Sequence, residues 1–154
     1  MVRRQRRLGA HDAAAAFEAL QQRGLFAADI GAGFPTGIKW KTVSQAKADR
    51  KFIVCNADEG DSGTFADRMI MEGDPFLVIE GMTTAGITVG ATKGYIYIRS
   101  EYPHAVEAMN AAILAAKRGG YLGDKIGRSA YSFDLEVRVG AGAYVCGEET
   151  SLQT

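Results

Sequence analysis

Three short apolar runs, separated by stretches of helical character, constrain this chain more than any other feature: residues 51–55 (KFIVC), 94–99 (GYIYIR) and 133–139 (FDLEVRV). The first is continuously apolar, as expected of a strand buried on both faces. The second is rich in residues that favour strands. The third alternates, with Phe133, Leu135, Val137 and Val139 on one side and Asp134, Glu136 and Arg138 on the other, which predicts one wetter face. Between the first two runs, Asp74 offers an N-cap directly before Pro75, and Thr64 with Asp67 has the form of a capping box. Two consecutive helices are predicted there, the second reaching about Val89. Pro103 opens another, with Val106, Met109, Ile113 and Ala116 at helical spacing, until Gly119 and Gly120 end it. Strand, helix, strand, helix, strand predicts an α/β fold: a Rossmann-like, largely parallel sheet flanked by helices and incomplete at the C-terminus.

Upstream, residues 11–23 are rich in helix formers and Gly24 follows as a stop. We therefore divide the chain into 1–24, a basic terminus with an N-terminal helix, and 25–154, a partial cofactor-binding domain. Residues 25–40 show no sustained period and read as a long shaped loop. The last residues, GEETSLQT, resemble the first turn of a helix without a body, so the chain reads as a fragment.

The 18 basic and 18 acidic residues cancel, which leaves no global field for nucleic acid or an anionic membrane surface. No apolar stretch reaches the roughly 18 residues of a membrane span. Only Cys55 and Cys146 are present, far apart, which fits a reducing, cytoplasmic setting. Glycine is the outlier at 19 of 154 residues, against a norm of about 7 %.

Those glycines gather in loops able to carry chemistry. In residues 31–40 (GAGFPTGIKW), Gly31, Gly33 and Gly37 free the backbone to turn its amides toward an anion, and Lys39 supplies charge. The spacing is neither a P-loop nor G-x-G-x-x-G, and a structural loop with a surface lysine is the alternative. Residues 56–63 (NADEGDSG) follow the KFIVC strand, where open parallel sheets bind ligands. Asn56 can read a heterocycle edge, and Asp58, Glu59 and Asp61 can accept from sugar or ribityl hydroxyls. A calcium loop fails, because Met69 would take the final ligand position counted from Asp58 and Ala66 the glycine position counted from Asp61. An acidic turn capping a helix is the alternative. Residues 140–150 (GAGAYVCGEET) form a third glycine-bracketed turn, with Glu148 and Glu149 at the start of an expected helix. Cys146 reads as a small buried residue, and His11 and His104 as surface positions.

Together, GAGFPTGIKW, VCNADEGDSGTFADR, DPFLVIEGM, GATKGYIYIR with EYP, and GAGAYVCGEET closely resemble the FMN-carrying, NADH-oxidising subunit of respiratory complex I and its relatives in NAD-dependent formate dehydrogenases and NAD-reducing hydrogenases. The likeness runs from about Gly31 to Leu152, and Asp61 with its surroundings resembles the formate dehydrogenase and hydrogenase branch. The resemblance implies that Gly31, Gly33 and Lys39 lie along the FMN phosphate and ribityl, and that Asn56, Asp58, Tyr144 and Glu148 hold the rest of the flavin. It implies that Phe34, Glu59, Asp61 and Glu149 border the NADH pocket. No side-chain nucleophile is needed: hydride passes from NADH to flavin, and electrons leave singly for an iron–sulfur cluster. The 4Fe-4S cluster is expected in a later part of such a subunit, since Cys55 and Cys146 lack C-x-x-C spacing. Implied partners are NAD(H) and the iron–sulfur and catalytic subunits of a larger complex, without direct membrane insertion.

Two departures stand out. The family usually carries Arg-Gly-Arg-Gly-Gly ahead of Ala-Gly-Phe, whereas this chain has Ala27, Ala28, Asp29, Ile30 and Gly31, which places a carboxylate where a phosphate is expected to rest. Thr42 stands where an aromatic is common in the complex I branch. These changes motivate an alternative, a non-catalytic nucleotide-binding or subunit-docking module that has lost flavin. A direct NAD dehydrogenase without flavin is disfavoured, because the glycine loop does not directly follow a clear strand.

Overall fold

The computed structural model describes residues 36–61 and 63–141. Of these, residues 36–49 and 88–90 fall in one compact unit and the remainder in another. The helix predicted over 11–23 lies outside the described residues.

In the first unit, helix α1 spans Thr36–Gln45. This corrects the long loop predicted through residue 40. The helix carries Gly37, two β-branched threonines and no apolar stripe, so periodicity is silent, yet Pro35 directly precedes it in sequence, where proline favours a helix start. Thr42 and Ser44 donate their hydroxyls to the Ile38 and Lys41 carbonyls at 3.0 and 2.8 Å.

The second unit holds a parallel sheet in the order β1 (Phe52–Ala57), β2 (Lys93–Ile98), β3 (Asp134–Val139). Helices α2 (Ala66–Gly73) and α3 (Pro75–Val89) connect β1 to β2, and α4 (Pro103–Arg118) connects β2 to β3. Asp74 caps α3 as predicted, its carboxylate accepting the Leu77 amide at 3.3 Å. Register is fixed by pairs such as Val54 with Tyr95 and Tyr95 with Glu136. Because side chains alternate, Ile53, Cys55, Gly94, Ile96, Ile98 and Leu135 share one face, and Phe52, Val54, Tyr95, Tyr97, Glu136 and Arg138 share the other. The first face belongs to the core: Ile96, Ile98 and Leu135 are buried, as are Met109, Ala112, Ile113 and Ala116 of α4. Helix α4 packs on both α2 and β3.

Among the described residues no element covers the second face, which differs from the expectation that β1 is buried on both sides. Phe52 and Val54 are about half exposed, and Val54, Tyr95, Tyr97 and Arg138 line a shallow cavity of about 210 Å³. A continuous apolar run does not distinguish a doubly covered strand from an edge strand carrying apolar side chains outward. The predicted alternation of β3 holds for Phe133 and Leu135, but Val139 at its end is exposed.

An ion-pair cluster ties β3 to its neighbours. The Asp134 carboxylate accepts from Lys117 at 2.7 Å and Lys93 at 3.3 Å, and Lys93 also reaches Glu136 at 3.2 Å. Burial pushes the Asp134 carboxyl up, but the bonds from Lys117 and Lys93 outweigh it and hold the group below its ordinary range. A depressed folded pKa contributes stability above the unfolded value, lost as pH falls through the folded one. Asp134→Asn should therefore cost about 0.5–1 kcal/mol at neutral pH, as partly exposed pairs do, and progressively less as the pH is taken down through the folded carboxyl's pKa. Urea midpoints along that pH series measure this; an equal loss throughout would rule out the ionic origin.

Candidate functional site

Parallel strands bring the loops after β1, β2 and β3 to one end of the sheet, the end at which open α/β sheets bind ligands. The loop after β1 carries four of the sequence-predicted residues. Asn56 is exposed at the strand end, and its Oδ1 accepts the Asp58 amide at 3.1 Å, closing a small Asx-type turn. Asp58 is partly buried, and its Oδ2 is fully buried without a hydrogen-bond partner among the described residues. Glu59 is buried at 8 % exposure. Asp61 is exposed, and its carbonyl accepts the Thr64 amide at 3.2 Å.

Glu59 is the organising residue of this loop. Its Oε1 accepts the Asp67 amide at 3.1 Å and its Oε2 the Arg68 amide at 3.4 Å, so it caps the first turn of α2 from eight residues before Asp67. The capping box predicted from Thr64 and Asp67 does not form: α2 begins at Ala66, and Phe65 precedes it without a side-chain cap. Tyr102, in the loop after β2, donates its hydroxyl to Glu59 Oε2 at 3.2 Å, and Arg99 donates Nη1 to the Glu59 carbonyl. Arg99 also pairs with Glu101 at 2.9 Å, and the guanidinium groups of Arg99 and Arg68 each lie over the Tyr102 ring, at 5.3 and 5.4 Å from its centre. Burial, then the Glu59 carboxylate, raises the Tyr102 hydroxyl pKa, while the Arg99 bond holds Glu101 down at about 2.

Sequence reasoning missed Arg68, Arg99 and Tyr102. The available signal was position, since Arg99 directly follows β2 and a charged residue at the carboxyl end of a parallel strand is a ligand-side position. Lys39 is exposed on α1, in the other unit. Gly31, Gly33, Phe34, Tyr144, Glu148 and Glu149 lie outside the described residues.

Cys55 has no nucleophilic character. Burial, then the charge of Asp67, pushes its thiol up to about 11 from 9.0. At pH 8 the thiolate population drops about a hundredfold, so alkylation of Cys55 in the folded chain should slow by that factor relative to the unfolded chain. The raised pKa favours the folded state below pH 9 and loses that contribution as pH climbs toward 11. Peptide-resolved mass spectrometry after iodoacetamide treatment measures the rate, and equal folded and unfolded rates would refute the assignment. Among the described residues no three His, Cys, Asp or Glu side chains are placed to hold a metal, and no helix is long and apolar enough to cross a membrane.

These features define an α/β protein of the open parallel-sheet class, with a polar, partly unsatisfied loop cluster at the strand carboxyl ends. Residues 26–154 match the model of the Nuo51 FMN-binding domain, and the chain belongs to that family. It is 54 % identical over 122 residues to the NADP-reducing hydrogenase subunit HndC of Solidesulfovibrio fructosivorans, covering 79 % of this chain and 25 % of that protein. It is 50 % identical over 122 residues to an NADH-quinone oxidoreductase subunit of Rhizobium meliloti, covering 79 % and 29 %. Among solved structures it resembles an NAD+-reducing [NiFe]-hydrogenase in the H2-reduced state, with a TM-score of 0.75, 38 % identity, and coverage of 93 % of this chain and 24 % of that one. The chain thus spans about a quarter of the length of the relatives it matches.

Proposed function

We propose that this chain is the FMN- and NADH-binding part of a diaphorase-type flavoprotein subunit, which oxidises NADH, or reduces NAD in reverse, within a multi-subunit oxidoreductase. The observation that carries the reading is the buried Oδ2 of Asp58 at the carboxyl end of β1, which has no hydrogen-bond partner among the described residues, in a chain of an FMN-binding family. A buried acceptor left open requires a donor from outside the loop, and a ribityl hydroxyl or flavin N–H supplies one, so the residues present fit the group. Bound FMN supplies a hydride acceptor that can release electrons singly to iron–sulfur clusters.

The chain's residues then bind and orient. Gly31, Gly33 and Lys39 take the phosphate and ribityl, and Asn56, Asp58, Tyr144 and Glu148 hold the remainder of the flavin. Phe34, Glu59, Asp61 and Glu149 border the nicotinamide nucleotide. The 4Fe-4S cluster belongs to a further part of the subunit, and the partners are iron–sulfur and catalytic subunits in a cytoplasmic assembly of hydrogenase or formate dehydrogenase type. The experiment is optical: the full-length subunit, assembled with its partners and supplied with FMN, should hold flavin and reduce a dye with NADH. Absence of both sinks the reading. The run Ala28, Asp29, Ile30 favours a second one, a docking or nucleotide-binding module without flavin. Restoring the usual glycines and arginines leaves flavin affinity unchanged if that is correct, and raises it sharply if not.

A further inference from the structure

We infer that Arg99 and Tyr102 are positioning residues for the loop after β1, holding Glu59 from both ends and so setting Asp58 at the cofactor site; this rests on the flavin reading proposed above. Beyond Ala57 that loop leaves the sheet and contains Gly60, Asp61 and Gly63, so the strand ladder does not fix it. What fixes it comes from the next crossover. Arg99 Nη1 donates to the Glu59 carbonyl while the Tyr102 hydroxyl donates to the Glu59 carboxylate, so one residue is gripped at backbone and side chain together. Arg99 is itself aimed, by its pair with Glu101 and its stacking on Tyr102. A lysine could keep the charge but not the planar fork that serves two acceptors while stacking.

Asp58, next in sequence to the gripped residue, keeps Oδ2 buried and open, and Arg99 likewise keeps a buried Nε without a partner among the described residues. Arg99 reaches the residue next to Asp58 directly, through the bond from its Nη1 to the Glu59 carbonyl. An open acceptor and an open donor in one neighbourhood mark a place that a polar ligand group completes.

The test uses the full-length subunit assembled with its partners and loaded with FMN, comparing wild type with Tyr102→Phe and Arg99→Lys. Flavin release is followed by recovery of flavin fluorescence, the environment of the bound flavin by visible circular dichroism at saturating FMN, and global stability by thermal unfolding of the apo assembly. Tyr102→Phe removes one hydrogen bond to a carboxylate and should speed release roughly tenfold. Arg99→Lys should do at least as much despite its retained charge, with a flavin dichroism altered at saturating FMN and a release rate raised beyond what any lowering of the unfolding midpoint accounts for. Should wild type hold FMN and both variants release it at the wild-type rate, the positioning role is overturned and the flavin reading stands. Faster release that only tracks a lowered unfolding midpoint also overturns it, as general destabilisation. A wild type that holds no FMN removes both claims.

Discussion

Phe133→Ala is expected to destabilise the second unit by roughly 3–5 kcal/mol, the range for emptying a fully buried aromatic site. Phe133 has 0 % exposure and enters β3 through a two-way backbone pairing with Gly123 at 2.8 and 3.0 Å. Its ring fills space that two glycines leave vacant. A Cβ added to Gly86 of α3 would lie 2.4 Å from the ring, and one added to Gly94 of β2 would lie 2.9 Å from it and 2.7 Å from Leu135. Helix and strand therefore close on the aromatic ring because neither has a side chain there. Gly86→Ala in the native background should cost roughly 1–3 kcal/mol by overpacking. In a Phe133→Leu background the same alanine meets a smaller neighbour and should cost less, so the pair should be non-additive. Denaturant unfolding of the five proteins, followed by far-UV circular dichroism, measures both the cycle and the Phe133→Ala loss. Strict additivity, or a Phe133→Ala loss below about 1 kcal/mol, would falsify this account of the core.

The same residues show how far the fold is legible in sequence. Pro75, Pro103 and the Gly119–Gly120 pair mark helix ends because their backbone chemistry is local, and the ends fall where that chemistry puts them. The parallel sheet follows from the alternation of strand and helix, which needs no knowledge of contacts. Helix α1 is not legible, because Thr36, Gly37 and Thr42 weaken the periodic signal that identifies a helix. The cap on α2 is misread for a different reason. Thr64 and Asp67 satisfy the local pattern, yet Glu59 supplants them from outside the window in which capping boxes are recognised. The partners of Glu59 across the strand ends, 40 and 43 residues away, are set by register alone. Sequence therefore points to the loop after β1 as the chemical one, while its internal wiring depends on which residues the crossovers bring alongside.

That wiring yields the second large effect. Glu59→Ala should cost roughly 1–3 kcal/mol, because it removes the acceptor of the part-buried Asp67 and Arg68 amides and leaves the buried Tyr102 hydroxyl without one, which carries its own desolvation penalty. Glu59→Gln isolates the charge from the shape. The amide keeps one acceptor but turns a donor toward the remaining N–H or O–H, so it recovers only part of the loss. Asp67 reports the change independently. Burial first, and the Glu59 charge second, raise its carboxyl pKa; a raised folded pKa means that Asp67 favours the folded state only below the unfolded value near 4 and loses that contribution as pH rises through the folded one. Removing the Glu59 charge should lower the Asp67 pKa toward its ordinary value, read by carboxyl NMR titration, while amide exchange at Asp67 and Arg68 accelerates. If those two amides kept their wild-type protection in Glu59→Ala, Glu59 would not be the cap of α2, and Arg99 and Tyr102 would have nothing at that point to position.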